Sequence, residues 1–204
     1  MPAASTARTA TTTAPTFDEQ VDALRRLGVS ADLEPLRPYA DDAAASDPAH
    51  LPYVLVAGGL DLDLAMAHVV AKGKPGRVDM TPVGPPDFAP IEGTEPPAPA
   101  YLLLDVDLGA RFRNVTPENA LIALRAEGRT PLTIDEGVSL LLQVPDALHA
   151  RTAYSLLASR MGDQRVPALW MSYGAPRLGW CWDRNPHTWL GSASAAARIT
   201  PPAP

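Results

Sequence analysis

The chain reads as an α+β protein with a mixed sheet, and three observations predict it. Tyr53-Val-Leu-Val-Ala57 and Tyr101-Leu-Leu-Leu-Asp-Val-Asp107 are short apolar runs of strand length, the first bounded by Pro52 and Gly58-Gly59. Three segments carry helix-start signatures, at Thr16, Thr116 and Thr133. The C-terminal part offers two further strands around a turn. The order strand, helix, strand, strand, helix, helix, helix, hairpin does not alternate as a doubly wound sheet would. It fits one domain over residues 17–200, with several short helices and a C-terminal β-hairpin.

Residues 1–16 lack the apolar core of a signal peptide and read as a disordered tail. Thr16-Phe-Asp-Glu19 is a capping box, in which the hydroxyl and Glu19 satisfy each other's free N–H groups. Phe17, Val21, Leu24 and Leu27 follow at helical spacing, and Gly28 supplies the stop. The polar stretch to residue 50 reads as loop. After the first strand, Leu62, Met66, Val69 and Val70 form a stripe that predicts a helix over 61–72, with Asp61, His68 and Lys72 opposite. A short strand over 77–80 comes next. Seven prolines over 81–100 forbid regular structure and mark a long loop.

Thr116 followed by Pro117 predicts a helix through Ala126, stopped by Gly128. Thr133-Ile-Asp-Glu136 opens another, with Ile134, Val138, Leu141 and Leu142 on one face and Pro145 as its end. Leu157 and Met161 suggest a further helix over 152–161. Strands near 166–172 and 178–183 then flank Tyr-Gly-Ala-Pro-Arg as a hairpin loop. An odd loop puts Trp170, Trp180 and Trp182 on one face; an even loop puts Trp170 with Cys181 instead. Asn185-Pro-His-Thr188 has the residue order of a type I turn displaying His187.

Composition limits the function classes. Lys72 and Lys74 stand against fifteen arginines, and the formal charge is −6. That balance excludes a broad basic face for nucleic acid. No apolar stretch approaches the roughly 18 residues of a membrane span. A single cysteine excludes an internal disulfide, so a cytoplasmic location is the default. Oligomeric state is not legible.

All four tryptophans, the cysteine and one of four histidines fall within residues 170–189. Indole walls grip ligands, and Trp is enriched where proteins bind. Trp180, Trp182 and Trp189 are therefore candidate walls of a binding surface, Arg177 and Arg184 its anion anchors, and His187 a tunable polar contact. Asp105 and Asp107, at i and i+2 after an apolar run, form the second candidate site. Such a pair at a strand's end suits Mg²⁺ or acid–base chemistry with His187 approaching, or else two carboxylates that are solvated or paired with arginine. The four histidines have no metal-ligand spacing, and no metal is expected. Cys181 on an alternating strand reads as a small core residue rather than a nucleophile. Arg160, Asp163 and Arg165 read as a network locking the helix over 152–161 onto the hairpin, or else as a ligand-facing cluster.

The strings Gly128–Gly137, Ser159–Trp170 and Gly179-Trp-Cys-Trp-Asp-Arg-Asn-Pro-His-Thr-Trp-Leu-Gly191 resemble a bacterial, mainly actinobacterial, family of uncharacterised proteins. The resemblance spans residues 50–198 and implies a cytoplasmic bacterial domain, without implying an activity, a cofactor or a catalytic residue. The leading expectation is a protein that binds a small molecule or a protein partner through its Trp/Arg/His-rich C-terminal surface. An enzyme, hydrolase or transferase, using Asp105, Asp107 and His187 is the second. A structural or assembly protein with an all-core tryptophan set is the third.

Overall fold

A computed structural model describes residues 14–149 and 152–201. Residues 1–13, most of the expected tail, lie outside the described residues. In chain order the elements are α1 (Phe17–Arg26), α2 (Arg37–Asp41), β1 (Leu51–Ala57), α3 (Leu62–His68), β2 (Val70–Ala71), β3 (Lys74–Pro75), β4 (Arg77–Val78) and β5 (Ala89–Pro90). They continue through β6 (Ala100–Val106), α4 (Pro117–Ala126), β7 (Thr130–Pro131), α5 (Ile134–Gln143), β8 (Ala153–Ser155) and β9 (Ser159–Arg160). The chain ends on β10 (Arg165–Ser172), β11 (Ala175–Trp182), β12 (Leu190–Ser192), β13 (Ser194–Ala195) and β14 (Ala197–Ile199). The class is α+β, with a mixed five-stranded sheet as its largest.

Both capping boxes form. The Thr16 and Thr133 hydroxyls accept from Glu19 N–H and Glu136 N–H, while each Glu carboxylate accepts from its cap residue's N–H. Thr116 caps α4 with Pro117 at its first position. Gly28 and Gly128 sit at positive φ just past α1 and α4, where a Cβ would be strained.

One sheet runs β1-β6-β14, all antiparallel. The other runs β12-β8-β10-β11-β4, with β12–β8 and β11–β4 parallel. Val54, Val56 and Leu103 face Leu169, Leu178 and Tyr154 across the main apolar cluster, which α3 and α5 complete. The opposite face of β1 and β6 buries Tyr53, Leu55 and Leu102 against Phe17, Leu24 and Leu36 of the N-terminal segment. Burial on both faces is why these strands read as continuous apolar runs rather than alternating ones. On the back of the larger sheet, Ala120 and Leu124 of α4 pack on Ala153, Val166, Ala168 and Cys181.

Several local expectations are corrected. The 28–50 stretch is not plain loop: Leu33, Leu36 and Ala40 are buried by a 3-10 turn and α2. The helix after β1 stops at His68, and Val70, expected inside, is 51% exposed on a two-residue hairpin whose turn is Lys72-Gly73. Within the proline-rich loop, Ala89–Pro90 still pairs with β9. Residues 153–160 form two short strands, not a helix. There Tyr154 and Ser155 pair with β10, so cross-strand burial overrides the i, i+4 spacing of Leu157 and Met161.

The C-terminal hairpin has an even, two-residue loop, Tyr173-Gly174, with both residues at positive φ. That geometry matches the strands' right-handed twist and is the favoured short hairpin turn. Strand pairing therefore begins at Ser172 and Ala175, so Arg177 lies in β11 opposite Trp170 rather than in the loop. The face shared by Trp170 is that of Arg177, Gly179 and Cys181. Trp180 and Trp182 leave on the other face with Arg165 and Leu169.

Candidate functional site

The tryptophans divide into two clusters, one for each face of the hairpin. Trp180 and Trp182 meet edge to face with ring centroids 4.9 Å apart. The Arg165 guanidinium lies 4.8 Å from the Trp180 ring and 5.4 Å from that of Trp182. Arg165 is itself paired with Asp163, so this cluster carries its own cation. The Trp180 indole donates to the Met80 carbonyl at 2.9 Å.

On the other face, the Trp170 ring covers Gly179, where a Cβ would come within 2.1 Å of it. Trp189 meets Trp170 edge to face at 6.5 Å, and the His187 ring lies 5.1 Å from Trp189. A cavity of about 320 Å³ is lined by Ala168, Trp170, Trp180, Cys181, Trp182, Asn185, His187 and Trp189. Trp182 and Trp189 remain 45% and 43% exposed, which is unusual for residues this large. His187 Nε2 is buried without a hydrogen-bond partner among the described residues. Burial lowers the pKa of this imidazole and so favours its neutral form. The hydrogen-bonded turn here is Trp182–Asn185, closed by Asn185 N–H on the Trp182 carbonyl. His187 is then anchored by its own carbonyl, which accepts from Asn114 N–H at 2.8 Å. Cys181 lies under the cavity, and burial pushes its thiol up to about 11.

Arg177 and Arg184 do not line this cavity. Arg177 is buried within β11, and the exposed Arg184 faces Glu118 at 3.4 Å.

The two aspartates build a different kind of place. Asp105 has φ +50 within β6, a left-handed kink that Asp tolerates better than most residues. Its carboxylate accepts from Ser46 N–H at 2.8 Å, Ser46 Oγ at 2.9 Å and Arg129 Nη1 at 2.8 Å, and it lies 2.9 Å from His50 Nδ1. Arg129 also donates to the Asp105 carbonyl at 2.6 Å and to Ser194 Oγ at 2.9 Å. Burial pulls the Asp105 carboxyl upward. The donors from Arg129, Ser46 and His50 outweigh it and hold the group well below the usual carboxylate range. Asp107 accepts from Gly109 N–H at 2.7 Å and lies 3.7 Å from both His50 Nε2 and Arg111 Nε.

The histidine that joins the aspartate pair is thus His50. His187 belongs with Trp189. Ser46, His50 and Arg129 escaped the sequence reading, although one signal was available. Antiparallel pairing of the two apolar runs sets Leu51 opposite Val106 and brings His50 to the Asp107 end. Among the described residues, no group of three or more His, Cys, Asp or Glu is arranged to hold a metal ion. Nor, among them, is any helix long and apolar enough to cross a membrane.

The model of a family of unknown function, DUF5701, matches residues 10–201, and the chain belongs to that family. No curated protein and no solved structure matches the chain.

Proposed function

We propose that this member of a family of unknown function is a small-molecule-binding protein whose site is the tryptophan-lined cavity of the C-terminal hairpin. One observation carries the reading: all four tryptophans of the chain line a single cavity of about 320 Å³ with an unpartnered imidazole nitrogen in it. That volume is within the range of small-molecule sites, and the composition is theirs too: apolar walls with a few polar groups, here His187 and Asn185. A neutral imidazole nitrogen donates or accepts a single hydrogen bond. The favoured ligand is therefore a compact apolar or aromatic molecule bearing one or two polar atoms. The Asp105 cluster fits this account as framework, because its donors already occupy the carboxylate.

A cytoplasmic, actinobacterial setting belongs to the same reading. It is supported by the replacement of nearly all lysine by arginine and by a buried free thiol, which suits a reducing compartment.

The test is a thermal-shift screen of small aromatic compounds and polar metabolites against the native protein and Trp189→Ala. A ligand at 100 times its dissociation constant adds about 2.7 kcal/mol to stability. The expected result is one or more hits that the variant loses while keeping its unliganded melting temperature within a few degrees. Hits that bind the variant equally would place the site elsewhere.

A further inference from the structure

One indole pair of this chain already holds a cation. The Arg165 guanidinium lies 4.8 Å from the Trp180 ring and 5.4 Å from that of Trp182, with Asp163 as its counter-ion. The cavity of about 320 Å³ is walled by the same kind of ring, yet among the described residues that line it none is Lys, Arg, Asp or Glu. Trp170 and Trp189 meet at 65°, and the His187 ring is tilted 50° to Trp189, so these rings form a corner rather than a flat stack.

The charge of a ligand decides how it fares in such a corner. An anion would be buried without a counter-charge and would meet the negative faces of the indoles. A neutral group gains contact area alone. A cation gains the same area and is also attracted by the ring quadrupoles. The polar groups of the lining suit it as well. Neutral imidazole and the Asn185 amide each offer an acceptor to an N–H donor, and His187 Nε2 has no partner among the described residues. Burial favours that neutral form of His187, which does not repel a cation. The net charge of −6 draws cations to the protein from solution.

We propose that the tryptophan cavity takes an organic ammonium ion, a compact apolar body whose polar atom is a protonated amine nitrogen. The nitrogen sits against the indole faces and donates to His187 or Asn185, while the apolar body fills the rest of the cavity. This inference rests on the reading of the cavity as a small-molecule site and adds the charge of the ligand to it.

The experiment titrates the full chain by calorimetry with three probes of similar shape: phenethylammonium, phenethyl alcohol and phenylacetate. An ionic strength of about 0.15 M screens attraction at a distance. The native protein is expected to bind phenethylammonium about tenfold more tightly than the alcohol, and phenylacetate most weakly of the three. Trp189→Leu keeps an apolar wall and removes a ring face. It is expected to bring the ammonium down to the affinity of the alcohol, with the alcohol's own binding showing that the variant is folded. Equal affinity of the native protein for ammonium and alcohol would overturn the charge assignment and leave the small-molecule reading standing. A preference for ammonium that survives in Trp189→Leu would overturn the role of the rings. Failure of all three probes to bind the native protein at tens of millimolar would overturn both this inference and the reading on which it rests.

Discussion

The Asp105 cluster and the tryptophan cavity are both rich in functional residue types, and they are opposites in how those residues are satisfied. Around Asp105, a kinked strand end, a loop serine, a histidine and an arginine from beyond α4 spend their polar atoms on one another. Around His187, a buried nitrogen has no partner among the described residues and two large indoles stay nearly half exposed. A saturated cluster stabilises; an unsatisfied one has capacity left for a ligand. Residue identity alone does not distinguish them, because Asp-x-Asp and Trp-rich strings each suit either role. The difference lies in how many partners each polar atom already has.

This contrast predicts unequal responses to mutation. The largest should come from Asp105→Ala, which strands Arg129 and His50 in a partly buried site. Removing one partner of such a network costs about 3–5 kcal/mol. Urea denaturation should register that loss, while ligand capture by the residual folded protein stays unchanged. The same carboxylate sets an acid limit. Its folded pKa is depressed, so its stabilisation is present above the ordinary value near 3.8 and drains away as pH falls below it. An acid titration of native and Asp105→Ala proteins should show the native advantage shrinking only in that range.

Gly179→Ala should act on both properties at once. The added methyl meets the Trp170 ring at 2.1 Å and the Asp79 carbonyl at 2.9 Å. Overpacking of this kind costs about 1–3 kcal/mol, and displacing Trp170 reshapes the cavity wall. Stability and small-molecule binding should therefore fall together. His187→Ala should separate them, lowering affinity while changing stability by less than about 1 kcal/mol, since the nitrogen removed has no partner to leave behind. The smallest effect concerns Cys181. With its thiol pushed up to about 11 by burial, it should label slowly with a thiol reagent at pH 8 and quickly once unfolded. Fast labelling of the folded protein would mean the cavity floor is open.

Much of this fold is legible in the chain. Thr16, Thr116 and Thr133 announce α1, α4 and α5 because caps are local chemistry, written within four residues. The core strands β1 and β6 are equally plain as apolar runs. The segment 152–161 fails because Leu157 and Met161 mimic a helical stripe, whereas the pairing of Tyr154 and Ser155 with β10 is a long-range fact. The hairpin was open to two registers, and the choice rested on whether Tyr173 and Gly174 alone made the turn. That one-residue parity decides which indoles share a face. His187 and the tryptophans are visible as candidates by composition. Ser46 and Arg129 are not, because they reach Asp105 across 59 and 24 residues of sequence.

The central claim, an open tryptophan site beside a closed aspartate hub, is tested most directly by nitrogen-15 NMR of the indole and imidazole groups during titration with indole as probe. The Trp170, Trp189 and His187 ring signals should move together. Trp180, held by the Met80 carbonyl, should move less, and His50 should not respond. Silence from all four indoles at tens of millimolar probe, or a His50 shift in step with His187, would contradict the account.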